Sequence, residues 1–215
     1  MSSLPIPITN SIEKLQQLQS LGRRSAQRVT LDLLQSEGEI YDEIITALKD
    51  MRSQIAFCSN CYFFAEKLNP NGSNLCEICA DSKRDKYKIC VVEKPTDVLN
   101  LERTQIYNGL YQVINNLISP IDNIFIEDTY LGDLVDRRLV ELTRDQNQKV
   151  EVILFFKAGF GAEATTAYLR DRIRNLNLQS SISLTKLAEG LPLYYNPESL
   201  DQATIIRALE DRRAV

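Results

Sequence analysis

The chain has 215 residues, 44% of them hydrophobic and 25% charged, with no histidine and a formal net charge of −4. That balance describes a folded globular protein and excludes a disordered one. The missing imidazole excludes Ser-His and Cys-His nucleophile pairs and every His-ligated metal site.

An acidic total opposes a general attraction to phosphate, so nucleic-acid binding would need a local basic patch. The longest apolar run, Val152–Phe156, is strand-sized and too short for a membrane span. Met1–Asn10 has neither a basic start nor an apolar stretch of signal-peptide type. The expectation is a cytoplasmic protein.

Residues 8–57 read as helices. Ile8, Ile12, Leu15 and Leu18 share a face, with Thr9, Asn10 or Ser11 as the cap. The pattern breaks at Ser20-Leu21-Gly22-Arg23 and resumes with Ala26, Val29 and Leu33, which predicts a helical hairpin. After Gly38 a third helix carries Ile40, Ile44, Leu48, Met51 and Ile55 on one face. Asn69–Asn74 is a loop tip by composition. From residue 88 strands and helices alternate. Strands are expected at Lys88–Val92, Tyr111–Ile114, Ile124–Ile126, Val150–Phe156 and Ile182–Leu184. Helices are expected at Thr96–Arg103, Leu131–Thr143, Glu163–Leu176 and Leu200–Arg212. The fold class is therefore α/β with a mainly parallel sheet.

Four of the five cysteines form two close pairs, Cys58-x2-Cys61 and Cys76-x2-Cys79, separated by fourteen residues. Two facing CxxC turns build a four-sulfur cage, the closed geometry of a structural zinc ion. A redox dithiol, two unrelated turns or an iron–sulfur cluster are the other readings of the same spacing. Cys90 falls inside a buried strand and reads as a core residue.

Between Lys14 and Leu31 there are four basic residues, Lys14, Arg23, Arg24 and Arg28, and no acidic one. Arg24 and Arg28 share a helical face just after the turn, where free N–H groups and the helix dipole favour an anion. The pattern fits phosphate contact without base readout, and equally a solvated basic face.

Several segments, in this order, give the chain a resemblance to the RecR family of bacterial recombination-repair proteins. They are Leu18–Arg28 (LQSLGRRSAQR), the double CxxC, Ile89–Asp97 (ICVVEKPTD), Leu117–Asp122 (LISPID), Ala162–Tyr168 (AEATTAY), and Leu187–Arg212, which opens LAEGLPL and closes on ALEDR. The resemblance implies a helix-hairpin-helix over residues 1–57 and a zinc module over 58–80. It further implies a Toprim α/β domain over 81–180 and a C-terminal segment over 181–215. It also implies a ring-like homo-oligomer, commonly a tetramer, that acts with RecO or RecF to load recombinase on gapped DNA. Gly22, Arg23, Arg24 and Arg28 would then contact DNA. Glu93, Asp97 and Glu163 would form an acidic patch for a protein partner.

The chain departs from the family in three places. The hairpin turn, Pro-Gly-x-Gly-Pro-Lys in the family, reads Gln19-Ser20-Leu21-Gly22-Arg23-Arg24, so Ser20 stands where a glycine would permit positive φ. After the Val150–Phe156 strand the chain reads Lys157-Ala158-Gly159-Phe160-Gly161-Ala162-Glu163, where a catalytic Toprim enzyme needs an acidic pair for Mg²⁺. Lys157 opposes a divalent cation there, which predicts weak Mg²⁺ binding and no strand chemistry. Tyr194-Tyr195 stands where the family often has glycines and reads as an interface or loop element. The expected function is a non-catalytic DNA-binding mediator with one structural zinc per chain. The alternatives are a protein-only adaptor that has lost DNA contact and a Mg²⁺-dependent Toprim enzyme.

Overall fold

The computed structural model describes residues 4–67, 74–145 and 148–187, and the single positions 202, 204 and 206. The chain divides into two compact units, Met1–Ile55 and Ala56–Val215.

The first unit holds three helices, α1 (Ile6–Leu15), α2 (Arg23–Gln35) and α3 (Gly38–Gln54). The start of α1 lies earlier than the Thr9–Ser11 cap expected from sequence. Pro5 is the N-cap and Pro7 lies in the first turn, where a missing N–H has no consequence. α1 packs against α2, and Ile12, Ala26 and Thr30 are buried. Buried Thr30 donates its hydroxyl to the Ala26 carbonyl at 2.9 Å, so its polar group is satisfied inside its own helix. The α3 stripe exists as the spacing predicts for Ile40, Ile44, Leu48 and Met51, all of them exposed, whereas Ile55 lies past the helix end in extended conformation and opens the next strand.

The second unit begins with a two-stranded sheet, β1 (Ile55–Phe57) with β2 (Phe64–Glu66), and a helical turn α4 (Glu77–Ala80). This small sheet, which flanks the first cysteine pair, was not anticipated from the sequence. Its strands are only three residues long, too short for an alternation pattern. The main sheet follows with β3 (Asp85–Val92), β4 (Gly109–Val113), β5 (Val150–Phe155) and β6 (Ile182–Lys186), in spatial order β4-β3-β5-β6 and parallel throughout. The helices are α5 (Pro95–Glu102), α6 (residues 131–142) and α7 (Phe160–Asn175). α6 is continuous, but its middle, Leu134–Leu139, is π-helical.

Alternation along the strands gives the sheet two buried faces. Ile89, Val91, Val152 and Leu154 pack with Leu131, Leu134, Leu139, Leu169 and Ile173 of α6 and α7. Cys90, Val92, Tyr111 and Val113 pack with Val98 of α5 and with Tyr62, Phe63 and Ile78 of the cysteine-bearing segment. Cys90 is thus a core residue, and burial pushes its thiol up to about 12.

One expected strand is absent. Residues 124–126 lie in a loop that carries only an isolated bridge between Ser119 and Ile124, flanked by 3-10 turns at Pro120–Asp122 and Ile126–Asp128. Asn123, left-handed at φ 56°, turns the chain, and the Asp128 carboxylate accepts the Phe125 N–H at 2.9 Å. The polar groups of Asn123 and Asp128 thereby outweigh the β-propensity of Ile124 and Ile126. Most of the Asn69–Asn74 loop, Tyr194-Tyr195 and most of the Leu200–Arg212 helix lie outside the described residues. Gln202, Thr204 and Ile206 are helical.

Candidate metal centre and nucleic-acid surface

Cys58 and Cys61 are brought together by a tight turn. The Cys58 N–H donates to the Phe63 carbonyl at 2.6 Å, and the Tyr62 N–H to the Cys58 carbonyl at 3.0 Å, with Tyr62 left-handed at φ 62°. Cys76 caps α4, and its sulfur accepts the Cys79 N–H at 3.4 Å. The two turns are joined where the Ser59 N–H donates to the Asn74 carbonyl at 2.8 Å.

The result is four sulfurs all within 4.8 Å of one another, with Cys61 and Cys76 Sγ 3.5 Å apart. A tetrahedral zinc with bonds of about 2.3 Å sets sulfur–sulfur distances near ~3.8 Å, so the cage has the right size. The Asn60 N–H lies 3.5 Å from Cys58 Sγ, and Asn60 Nδ2 lies 3.6 Å from Cys79 Sγ. Donors aimed at sulfur stabilise thiolates and orient them. Hydrogen bonds from Cys61, Cys76 and Cys79 hold the Cys58 thiol well below its ordinary value. The bond to Cys58 pushes Cys61 up, and burial adds to it. Four sulfurs this close cannot all ionise without a cation among them. The donor set can hold a metal ion.

In the first unit, α2 begins directly after the hairpin turn. Gly22 is its N-cap, at φ −71° and ψ 167°, and no side chain caps the helix. The Ala26 N–H is the first to reach a helical carbonyl, that of Gly22, at 2.9 Å. The N–H groups of Arg23, Arg24 and Ser25 are thus the orphan donors of the helix start. Lys14, Gly22, Arg23, Arg24 and Arg28 are all exposed. Among the described residues none of the four cations is in an ion pair. Ser20 is not among the residues of positive φ, so the turn forms without the glycine conformation that the family pattern suggested.

The acidic candidates do not converge in the same way. Among the described residues the cysteines are the one group of three or more potential ligands close enough to share an ion. Glu93 follows β3, with a carboxylate oxygen 3.9 Å from Lys94 Nζ. Asp97 accepts the Lys94 N–H at 2.9 Å and so stabilises the start of α5. Glu163 is exposed in the first turn of α7. The order β4-β3-β5-β6 places the switch between β3 and β5, and Val92 is paired with Phe155 there. The crevice beyond those strand ends is the usual ligand position in such sheets. Here Glu93 and exposed Lys157 follow the two strands, and Gly159, at φ 155°, leads into α7.

Sequence reasoning missed the residues that bind the cysteine module to the sheet. The Val113 N–H donates to the Cys61 carbonyl at 2.9 Å, and Arg137 Nη2 to the Ser59 carbonyl at 3.3 Å. Arg138 is almost fully buried, and Tyr130 is stacked on Tyr62. A charged Arg-Arg pair on an amphipathic helix carries no local signal of which member turns inward.

A parallel four-stranded α/β domain with a four-cysteine module on one face and a separate helical hairpin defines the class: a Toprim protein with a four-cysteine module. Residues 87–186 match the family model of the Toprim domain. The chain is 37% identical over 202 residues to Recombination protein RecR of Chloroherpeton thalassium, covering 94% of this chain and 93% of that one. It is 36% identical over 210 residues to Recombination protein RecR of Roseiflexus sp. (strain RS-1), covering 98% and 95%. With the counterpart in Chlorobaculum tepidum it is 33% identical over 204 residues, covering 95% of each. The chain belongs to the RecR family.

Proposed function

We propose that this chain is a non-catalytic, DNA-binding mediator of recombinational repair that holds one structural zinc ion in Cys58, Cys61, Cys76 and Cys79. The observation that carries the reading is the unpaired cationic start of α2. Arg23, Arg24 and Arg28 are exposed beside orphan backbone donors, and among the described residues no carboxylate pairs with them. Guanidinium groups next to free amides suit the sugar–phosphate backbone and imply no base sequence. Zinc fits the cysteines because four thiolates at tetrahedral spacing leave no open position for substrate. When bound, zinc supplies a fold-stabilising cross-link.

The protein acts with RecO or RecF to load recombinase on gapped DNA, in the cytoplasm and at the nucleoid. Among the described residues no helix is long and apolar enough to cross a membrane. The exposed stripe Ile40, Ile44, Leu48 and Met51 on α3 supports self-association into a ring-like tetramer, since an apolar helix face of that size calls for cover. Repeated hairpins around a ring multiply contacts that are weak singly. Glu93 and Glu163 serve as an acidic surface for a basic protein partner, with Asp97 fixing the local backbone. Lys157, a cation beside the place where a catalytic Toprim domain needs an acidic pair, is the basis for reading the Toprim domain as a scaffold.

The test is a gel-shift series on single-stranded, duplex and gapped DNA at two salt concentrations, with the wild type and the Arg24→Ala, Arg28→Ala double variant. The double variant is expected to lose affinity for all three while keeping its zinc. Equal affinity defeats the hairpin assignment. Capture of RecO with no DNA shift selects the protein-only adaptor, which the net charge of −4 favours.

A further inference from the structure

Arg138 is the most deeply buried charge among the described residues, with 3% of its surface exposed. It lies in the π-helical stretch Leu134–Leu139 of α6. One guanidinium nitrogen, Nη1, donates to the Tyr111 carbonyl at 2.5 Å and to Gln112 Oε1 at 3.1 Å. The other, Nη2, is buried with no hydrogen-bond partner. Both acceptors are neutral, and among the described residues no carboxylate pairs with it. Its neighbour Arg137 is matched by Asp133 at 2.6 Å. A buried guanidinium without an anion is strongly unfavourable. Arginine does not escape by releasing its proton. The charge therefore calls for a partner.

β4 joins this charge to the cysteine cluster. Arg138 holds Tyr111 and Gln112, and the next residue, Val113, donates its N–H to the Cys61 carbonyl. Burial disfavours the charged form of Arg138, and Cys79, Cys61 and Cys58 offset part of that effect. Four thiolates around a divalent ion carry two net negative charges, with Cys58, Cys61 and Cys76 buried and Cys79 partly so. A buried cation bonded to β4, the strand that also holds the Cys61 carbonyl, offsets part of that charge. π-helical turns reposition side chains at functional sites, and this one aims position 138 into the domain.

We infer that Arg138 is the buried counter-cation of the metal-loaded cysteine centre, so that metal binding and the seating of α6 are linked. The inference rests on the cysteines holding a divalent metal, as proposed above. By linkage, the metal stabilises the buried guanidinium by the same factor as the guanidinium strengthens metal binding.

The experiment is a zinc competition titration of the full chain against a chelator of known affinity, with wild type, Arg138→Gln and Arg138→Lys. Arg138→Gln, a neutral donor, is expected to bind zinc about 10-fold more weakly, and Arg138→Lys to recover most of that loss. Equal affinity for wild type and Arg138→Gln overturns the inference, as does Arg138→Lys as weak as Arg138→Gln, which marks a packing role. Hydrogen exchange of the wild type with and without zinc decides the matter even if Arg138→Gln does not fold. Faster exchange in α6 than in β5 on metal removal supports the link, whereas an equal change in both, or none, overturns it. A wild type that binds no metal in the titration defeats the metal assignment itself, a separate outcome.

Discussion

Tyr62 stacks on Tyr130, with ring centroids 3.8 Å apart and planes 4° from parallel. Tyr62 follows the first cysteine pair, and Tyr130 opens α6, so the stack fastens the four-cysteine module to the α/β domain. Tyr62 holds its ring there in a left-handed backbone conformation. That conformation is unfavourable for a bulky residue and persists only where its surroundings support it. Tyr130→Ala should therefore lower stability by roughly 1–3 kcal/mol through lost area and stacking. A double-mutant cycle with Tyr62→Ala should give a coupling of about 1 kcal/mol. Denaturant unfolding of the four proteins measures it, and additive losses would show that the rings do not support each other.

Removal of the metal should have a similar address. The buried residues around the cluster are three of its own cysteines and Ala65, with Phe63, Ile78 and Cys79 packed against them. A module with so little apolar core depends on its cross-link. The Cys58→Ser, Cys61→Ser variant should lose the metal and unfold at a markedly lower temperature, read by metal analysis and a thermal melt. Metal content equal to the wild type would contradict the four-ligand centre.

Much of this architecture is legible from residue order. VEVILFF reads as a buried parallel strand because it is apolar on both faces, and the structure places Val150–Phe155 between β3 and β6. The CxxC pairs identify their own cluster because cysteine spacing states the geometry of the site. The loop at residues 114–130 is less legible. Its Ile124-Phe125-Ile126 run imitates a strand, while the deciding interactions are local polar bonds, Ser119 Oγ to Asp122 and the Phe125 N–H to Asp128. Arg138 could not be found at all by such reasoning, because its burial depends on the pitch of a π-helical turn. The sequence pattern of α6 is satisfied by an ordinary helix.

A half-buried ion pair sets an acid limit. Arg84 grips Glu102 through both guanidinium nitrogens, at 2.9 and 2.5 Å, and the Tyr111 hydroxyl donates to the same carboxylate at 2.6 Å. The hydrogen bonds from Arg84, assisted by Tyr111, hold the Glu102 carboxyl below its ordinary value against the effect of burial. A carboxyl whose folded pKa is depressed stabilises the protein fully above its unfolded pKa. That stabilisation falls away as pH drops through the lower, folded value. Glu102→Gln should cost about 2 kcal/mol at neutral pH and narrow to a smaller difference in acid below the ordinary carboxylate range. Urea unfolding at neutral and acidic pH reads this, and a gap that widens in acid would contradict it.

Gly109 should tolerate no side chain. A Cβ there would fall against Tyr107 Oη and the Lys88 backbone carbonyl. Neither can yield easily. Lys88 belongs to the central strand β3, and the Tyr107 hydroxyl is held by the Leu110 carbonyl at 2.9 Å. Gly109 also offers its own carbonyl to Arg84 Nη1 at 3.2 Å, so a shift of β4 would disturb the Arg84–Glu102 pair as well. Gly109→Ala is expected to destabilise by about 3 kcal/mol, at the upper end for one inserted methyl group. Gly22→Ala, at a position where a Cβ meets nothing within 4 Å and φ is −71°, should change global stability by under about 1 kcal/mol. The two alanine variants side by side in one denaturant series test whether the close approach of β4 to β3, rather than loss of glycine as such, sets the cost. Equal losses would reject that explanation.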